Sequence, residues 1–162
     1  MNNATRGDVE ALMRQAVAAA RRGIQQGQSP FGCAISLDGT VIAVEHNRVF
    51  ASTDITAHAE ITAIREACSK VGRIHLLGAI VASTCEPCPM CMAALHWARV
   101  ARVYYGATID DATAVGFNEL KVPAAELLRV GGSSLEIVGG IFPDECRTLF
   151  AEWRSSPFYQ PY

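Results

Sequence analysis

A His-x-Glu motif and a later Pro-Cys-x-x-Cys motif constrain this chain more than any other part of its sequence. Together they offer one imidazole and two thiols, which are side chains that bind zinc in proteins. A zinc ion that takes part in chemistry is held by three protein ligands and keeps a fourth position open. His58, Cys88 and Cys91 supply these three ligands. Glu60 then remains free to move protons, so the motifs predict a catalytic zinc site.

A Cys-x-x-Cys pair alone is ambiguous, because it also occurs in structural zinc sites and in redox motifs. A structural site would need a fourth Cys or His at ligand spacing, and Cys85 is the nearby spare. Glu60 would then have no role. Since four residues agree in type, order and spacing, the catalytic interpretation is favoured.

The sequence around both motifs favours helix starts. Thr56 is a suitable cap for a helix over residues 57–71, which places the ligand histidine and Glu60 in its first turn. Pro89 suits the first turn of a second helix that runs to about Arg99. Because helix N-termini carry partial positive charge, they favour thiolates. Two helix starts are therefore expected to converge on one metal.

The remaining pattern predicts a three-layer α/β/α sandwich with a mixed five-stranded sheet, in one domain over residues 1–162. Apolar residues recur at helical spacing near the N-terminus, and Asp38-Gly39 separates two alternating runs that read as a hairpin. The expected helices cover 8–26, 57–71, 89–99 and 143–153, and the expected strands cover 31–37, 40–46, 76–83, 100–106 and 134–138. The strands before and after the Cys-x-x-Cys helix should be parallel. The long connection over 107–128 has weak periodicity, which is typical of a functional segment.

Composition limits the partners and the compartment. The net charge of −2 argues weakly against tight nucleic-acid binding, which needs clustered Lys and Arg. No apolar run reaches membrane-spanning length, and no signal-peptide pattern opens the sequence, so we expect no membrane partner. Cys33, Cys68 and Cys146 lie in apolar stretches. We therefore expect unpaired thiols and a reducing, cytoplasmic compartment.

Over nearly its whole length the sequence resembles the cytidine deaminase superfamily and, within it, the bacterial guanine deaminases. The resemblance rests on both zinc motifs, on Pro30-Phe31-Gly32, on Gly116-Phe117-Asn118-Glu119 and on an aromatic C-terminus. It implies a cytidine deaminase-like fold, Zn²⁺ as cofactor and hydrolytic deamination of a nucleobase, with guanine to xanthine and ammonia as the first expectation.

The resemblance also implies roles at single positions. Asn47 would hydrogen-bond the purine, while Phe31 and Trp97 would wall the pocket. Glu119 would contact guanine and assist proton transfer as a second catalytic residue. Tyr162 would close the pocket. Each has a purely structural alternative: a turn cap for the asparagine, core packing for the aromatic pair, a solvated loop for the glutamate and a frayed end for the tyrosine.

The resemblance further implies a homodimer in which the tail over residues 155–162 closes the active site, by exchange between subunits in related proteins. Apolar residues on the zinc-site helix, Met92, Leu95 and Trp97, are consistent with such an interface. The expected substrate is a small nucleobase, and nucleic acid is an unlikely partner.

Other functions stay open at this point. The segment 139–146 also resembles the bacterial tRNA adenosine deaminases, which share both zinc motifs. Those proteins usually end in a basic tail, whereas residues 155–162 are neutral and aromatic, which favours a free base. Cytosine or another aminated heterocycle would suit the same pocket class. An inactive partner subunit would be expected to lack the proton-transfer residue, and Glu60 is present.

Overall fold

The computed structural model describes residues 4–162, which form a mixed five-stranded sheet with helices on both faces. The helices are α1 (Arg6–Gln25), α2 (Val49–Ser52), α3 (Ala59–Val71), α4 (Pro89–Trp97), α5 (Ile109–Ala114), α6 (Ala124–Gly131) and α7 (Pro143–Arg154). The strands are β1 (Gly32–Leu37), β2 (Thr40–His46), β3 (Ile80–Cys85), β4 (Arg102–Ala107) and β5 (Glu136–Val138). The predicted three-layer α/β/α sandwich is confirmed.

The sheet has the strand order β2-β1-β3-β4-β5. β1 is antiparallel to both of its neighbours, while β3, β4 and β5 are parallel. The strands on either side of α4 are therefore parallel, as predicted. The carboxyl ends of β3 and β4 lie together at one edge, which is where open α/β sheets bind ligands.

Alternate residues of the central strands face opposite layers. Ile35 and Val81 belong to a buried cluster with residues of α3, α4 and α6. Ala34 and Ala82 belong to a second cluster with residues of α1 and α7. Because side chains alternate along a strand, one short sheet builds both cores.

Gly32 allows an unusually close approach of α1 to β1. A Cβ atom at this position would lie 2.0 Å from the carbonyl oxygen of Ala16, and a backbone atom cannot move aside cheaply. The amide of Gly32 donates to Oγ1 of Thr84, 3.0 Å away. This packing fixes the point at which Phe31, the preceding residue, enters the site.

The strand predicted over 76–83 begins later than expected, at Ile80, and runs to Cys85. Gly78 has a φ of 84°, and the amide of Ala79 donates to the carbonyl of Leu76. The chain therefore turns at this glycine before it can join the sheet. As a result, β3 ends three residues before Cys88 and delivers the cysteine motif directly to the sheet edge.

The long connection predicted over 107–128 contains two short helices, α5 and α6, joined by a loop over 115–123. Thr108 and Asp111 form a capping box that starts α5. That Thr-x-x-Asp pattern was visible in the sequence and identifies this helix start. The loop between the two helices carries Glu119.

In the part of the chain that the structure describes, helices long and apolar enough to cross a bilayer are absent. All six cysteines are free thiols. Cys33 and Cys146 are buried, and Cys68 is partly buried.

Candidate active site

His58 and Cys88 occupy equivalent positions, each as the N-cap residue of a helix. His58 precedes α3 and Cys88 precedes α4, both with extended backbone, and Cys91 lies in the first turn of α4. The predicted cap at Thr56 was wrong. Its hydroxyl instead donates to Oδ1 of Asp54, 2.7 Å away, and the helix starts at Ala59. Two helix N-termini thus converge on one point, as expected.

The geometry of this cluster fits zinc. Nδ1 of His58 lies 3.7 Å from Sγ of Cys88 and 3.5 Å from Sγ of Cys91. All three ligand atoms lie within 4.8 Å of one another. Zinc–sulfur and zinc–nitrogen bonds in a tetrahedral site place these atoms about 3.5 Å apart. His58, Cys88 and Cys91 are therefore placed to hold a metal ion, and Cys85 is outside the cluster.

Without a metal, the three ligand side chains share protons that zinc would displace, because a zinc ligand must be deprotonated. A hydrogen bond from the Cys91 thiol holds the pKa of Cys88 at about 4, so this sulfur is a thiolate near neutral pH. Donation of the same bond raises the pKa of Cys91 well above its usual range. Burial opposes ionisation of the His58 ring, but contact with Cys88 and the charge of Glu60 raise its pKa overall.

Glu60 lies in the first turn of α3, beside the metal cluster, and is 6% exposed. The hydroxyl of Ser83 donates to Oε1 of Glu60 at 2.8 Å, and the Cys91 thiol lies 3.4 Å from its Oε2. Burial raises the pKa of this carboxyl group. Sequence reasoning missed Ser83. The available signal was a polar Ser83-Thr84 pair inside an otherwise apolar strand.

A cleft of about 300 Å³ opens above the cluster, at the lower end of the size range of small-ligand sites. Glu60, Glu119, Phe31 and Tyr162 all line it. Burial raises the pKa of Glu119, and the negative charge of Cys88 makes a smaller contribution in the same direction. Phe31 packs against Phe117 with ring centroids 4.9 Å apart. Four predicted site residues thus share one cavity with the metal ligands His58 and Cys88.

Tyr162, the last residue of the C-terminal tail, lines this cleft. The Tyr162 ring is 5.3 Å from Phe117 and 6.4 Å from His58. Its hydroxyl accepts a hydrogen bond of 2.8 Å from the amide nitrogen of Asn47. The tail thus reaches the cleft of its own chain.

Asn47 is 1% exposed and does not line the cleft. Its side-chain oxygen accepts from the amide of Val49, and its nitrogen donates to Tyr162. In this conformation Asn47 is linked to the cleft indirectly, by its hydrogen bond to Tyr162.

Trp97 is not part of the cleft within one chain, contrary to expectation. It is the last residue of α4, is 74% exposed and lines a separate apolar depression with Met92 and Leu127. Trp97 lies nine positions after Cys88, which corresponds to about 13 Å along the helix axis. The geometry of the helix therefore carries this side chain away from the metal cluster.

Comparison with known proteins decides the family. The family model described as the cytidine and deoxycytidylate deaminase zinc-binding region matches residues 6–107. The chain belongs to this deaminase family. The matched residues include His58, Glu60, Cys88 and Cys91, and they end with β4. Zinc is therefore the expected cofactor, and the protein is a hydrolytic deaminase.

The deaminase is similar to proteins with two different substrates. It is 45% identical to a guanine deaminase of Bacillus subtilis over 111 residues, which is 68% of this chain and 71% of the relative. It is 32% identical to a tRNA-specific adenosine deaminase of the same organism over 137 residues, with 85% and 83% of the two chains covered. A solved structure of guanine deaminase from Nitrosomonas europaea is also similar, with a TM-score of 0.83, 26% identity and coverage of 96% and 87%.

The deaminase should lose zinc when a ligand is removed. We expect Cys91→Ala and His58→Ala to reduce bound zinc from about one ion per chain to near zero, because two protein ligands rarely hold zinc. Metal content after gel filtration, measured by inductively coupled plasma mass spectrometry, tests this.

Two other cysteines provide the controls for this experiment. Cys68→Ser, on the far end of α3, should keep its zinc. Cys85→Ala should keep it as well, because its thiol lies 3.4 Å from the carbonyl of Thr108 and outside the metal cluster. Loss of zinc from Cys85→Ala would contradict the three-ligand site.

Proposed function

We propose that this deaminase acts on a free aminated purine, converting guanine and water to xanthine and ammonia. The observation that carries the proposal is a second carboxylate in the cleft. Glu119 lines the same cavity as Glu60, His58 and Cys88, and the aromatic ring of Tyr162 lines it as well. The similarity to guanine deaminases supports the same substrate.

The charge of the cleft favours a base over a polynucleotide. Among the described residues that line it, Lys and Arg are absent. Proteins that hold RNA need such side chains, because the phosphate backbone supplies most of the affinity. The closing contacts are instead made by aromatic rings, such as Tyr162 against Phe117. A flat, uncharged ring fits these walls better than an anticodon stem.

Glu60 is proposed as the proton-transfer residue. Bound at the cluster, Zn²⁺ would supply a Lewis acid that lowers the pKa of a bound water towards neutrality. Glu60 removes a proton from the attacking water and delivers protons to the ring nitrogen and the leaving amine. Ser83 holds one carboxylate oxygen at 2.8 Å, which orients the group for both transfers.

Glu119 is proposed to select the substrate. In guanine, the carbon that is attacked carries the exocyclic amine, and the neighbouring ring nitrogen carries a hydrogen. A carboxylate facing them accepts hydrogen bonds that adenine and cytosine cannot donate in the same pattern. Because an acceptor that a bound base covers without pairing it is costly, such a contact can discriminate strongly. Tyr162, held by its hydrogen bond from Asn47, would complete the wall once the base is bound.

Replacing Glu60 should stop turnover without removing the metal. We expect Glu60→Gln to retain zinc and lower kcat by at least about 10²- to 10⁴-fold, because the amide cannot accept the water proton. Glu66→Gln, an exposed residue on the same helix, should leave kcat unchanged. Steady-state ammonia release measures both. Activity of Glu60→Gln within tenfold of the wild type would remove this residue from the mechanism.

A substrate panel tests the function directly. Ammonia release should be robust with guanine and weak with adenine, cytosine and an adenosine-bearing anticodon stem. Guanine turnover should change little between about 50 and about 200 mM salt, because no phosphate contact is involved.

The same panel separates the competing functions. Salt-sensitive turnover of the anticodon stem without guanine activity would establish a tRNA adenosine deaminase. Preferred turnover of cytosine would reassign the base. A zinc-loaded protein with no turnover of any of these would support the inactive partner subunit.

We also infer a homodimer through the exposed face of α4 and α6. Trp97 and Val130 are 74% and 70% exposed on these helices. Sedimentation equilibrium at micromolar protein should give twice the chain mass of 17.4 kDa. Trp97→Glu should shift the protein to the monomer, whereas Ile74→Glu, at an exposed site after α3, should not. A monomeric wild type would contradict this interface.

A further inference from the structure

We propose that Glu86 is a positioning residue, which holds the loop that carries Glu119 against the metal motif. Glu86 lies between the end of β3 and Cys88 and lines the edge of the cleft. The resemblance to known families assigns it no side-chain role. The inference rests on the proposed function, because Glu86 is expected to affect turnover through the position of Glu119.

The Glu86 carboxylate caps a helix that has no cap of its own. Its Oε1 accepts a hydrogen bond of 2.9 Å from the amide of Ala124, the first residue of α6. The N-cap position of α6 is Pro123, which makes no side-chain capping bond. Since the first amides of a helix need acceptors, a carboxylate from elsewhere in the chain takes this place.

The same carboxylate reaches a second helix start. Its Oε2 lies 3.4 Å from the amide of Ile109, the first residue of α5. The backbone amide of Glu86 also donates to the carbonyl of Ala107, 2.8 Å away. Thr108 already caps α5, so this contact adds to an existing cap. One residue thus holds both ends of the segment 109–124.

The segment held in this way includes a loop that belongs to no helix or strand. The loop over 115–123 lies between α5 and α6 and carries Glu119 into the cleft. On one side of Glu119, the amide of Asn118 donates to the carbonyl of Tyr162 at 2.9 Å. On the other side, the Glu86–Ala124 bond is the anchor. Because Glu86 is two residues from Cys88, it ties the substrate-selecting loop to the metal motif.

A carboxylate is the side chain suited to this task. Each of its two oxygens can accept a separate amide, and both helix starts carry partial positive charge. A glutamine keeps the length but offers one oxygen and an amino group, so it can satisfy one helix start and not both. An alanine satisfies neither. The three residues therefore form a graded series, Glu, Gln and Ala, for the strength of the anchor.

Hydrogen–deuterium exchange tests the anchor without reference to any substrate. In Glu86→Ala, amides over 115–124 should exchange about tenfold faster than in the wild type, while those of α3 and β3 keep their rates. Glu86→Gln should fall between the two. Zinc content should stay at the wild-type level in both variants. Unchanged exchange over 115–124, or loss of zinc, would overturn the inference.

A double-mutant cycle tests whether the effect passes through Glu119. With guanine, Glu86→Ala should lower kcat/KM about tenfold in the wild-type background and less than about twofold in the Glu119→Ala background. Equal losses in both backgrounds would show an independent, merely structural role. Glu126→Ala, which removes an exposed carboxylate from the first turn of α6, is the matched control and should change neither exchange nor turnover.

The two experiments separate this inference from the proposed function. If the wild type releases no ammonia from guanine, the proposed function fails, and the exchange rates still decide whether Glu86 anchors the loop. If the wild type turns over guanine and Glu86→Ala matches it in both rate and exchange, the function stands and the positioning role is wrong.

Discussion

Two helices begin at metal ligands, and the rest of the site depends on that arrangement. His58 and Cys88 replace the usual capping residues of α3 and α4, and neither side chain caps its own helix. The partial positive charge of the helix starts favours the thiolate of Cys88. The sheet fixes the distance between the two starts, since α4 follows β3 directly and α3 packs over β1 and β2.

The site therefore has two halves of different construction. The metal ligands, Glu60 and Ser83 stand on helices and on a central strand, whose positions are set by two buried cores. Glu119 and Tyr162 stand on a loop and a tail, held by a few long-range hydrogen bonds. Enzymes commonly place catalytic groups on rigid helices and strands and substrate-selecting groups on loops. The half that holds the metal is common to guanine and tRNA deaminases, which explains why both are similar to this chain.

Sequence reasoning succeeded where the signal was local. The zinc motifs gave the ligand cluster, and Asp38-Gly39 gave the hairpin between β1 and β2. Sequence reasoning failed where the role of a side chain depends on a partner far away in the sequence. Ser83 and Glu86 act on partners 23 and 38 residues away, and no spacing pattern encodes such pairs. The start of β3 was misplaced because the turn at Gly78 interrupts a continuous apolar run. Trp97 was assigned to the cleft by resemblance, although α4 carries it elsewhere.

His58, Cys88 and Cys91 are placed to hold one zinc ion and to leave a fourth position for water. X-ray absorption at the zinc edge of the purified protein reports the number and kind of atoms bound to the metal. We expect two sulfur neighbours at about 2.3 Å and two nitrogen or oxygen neighbours at about 2.0–2.1 Å, one from His58 and one from water. A shell of three sulfurs and one nitrogen would contradict it, because Cys85 would then close the site and leave no position for the reaction.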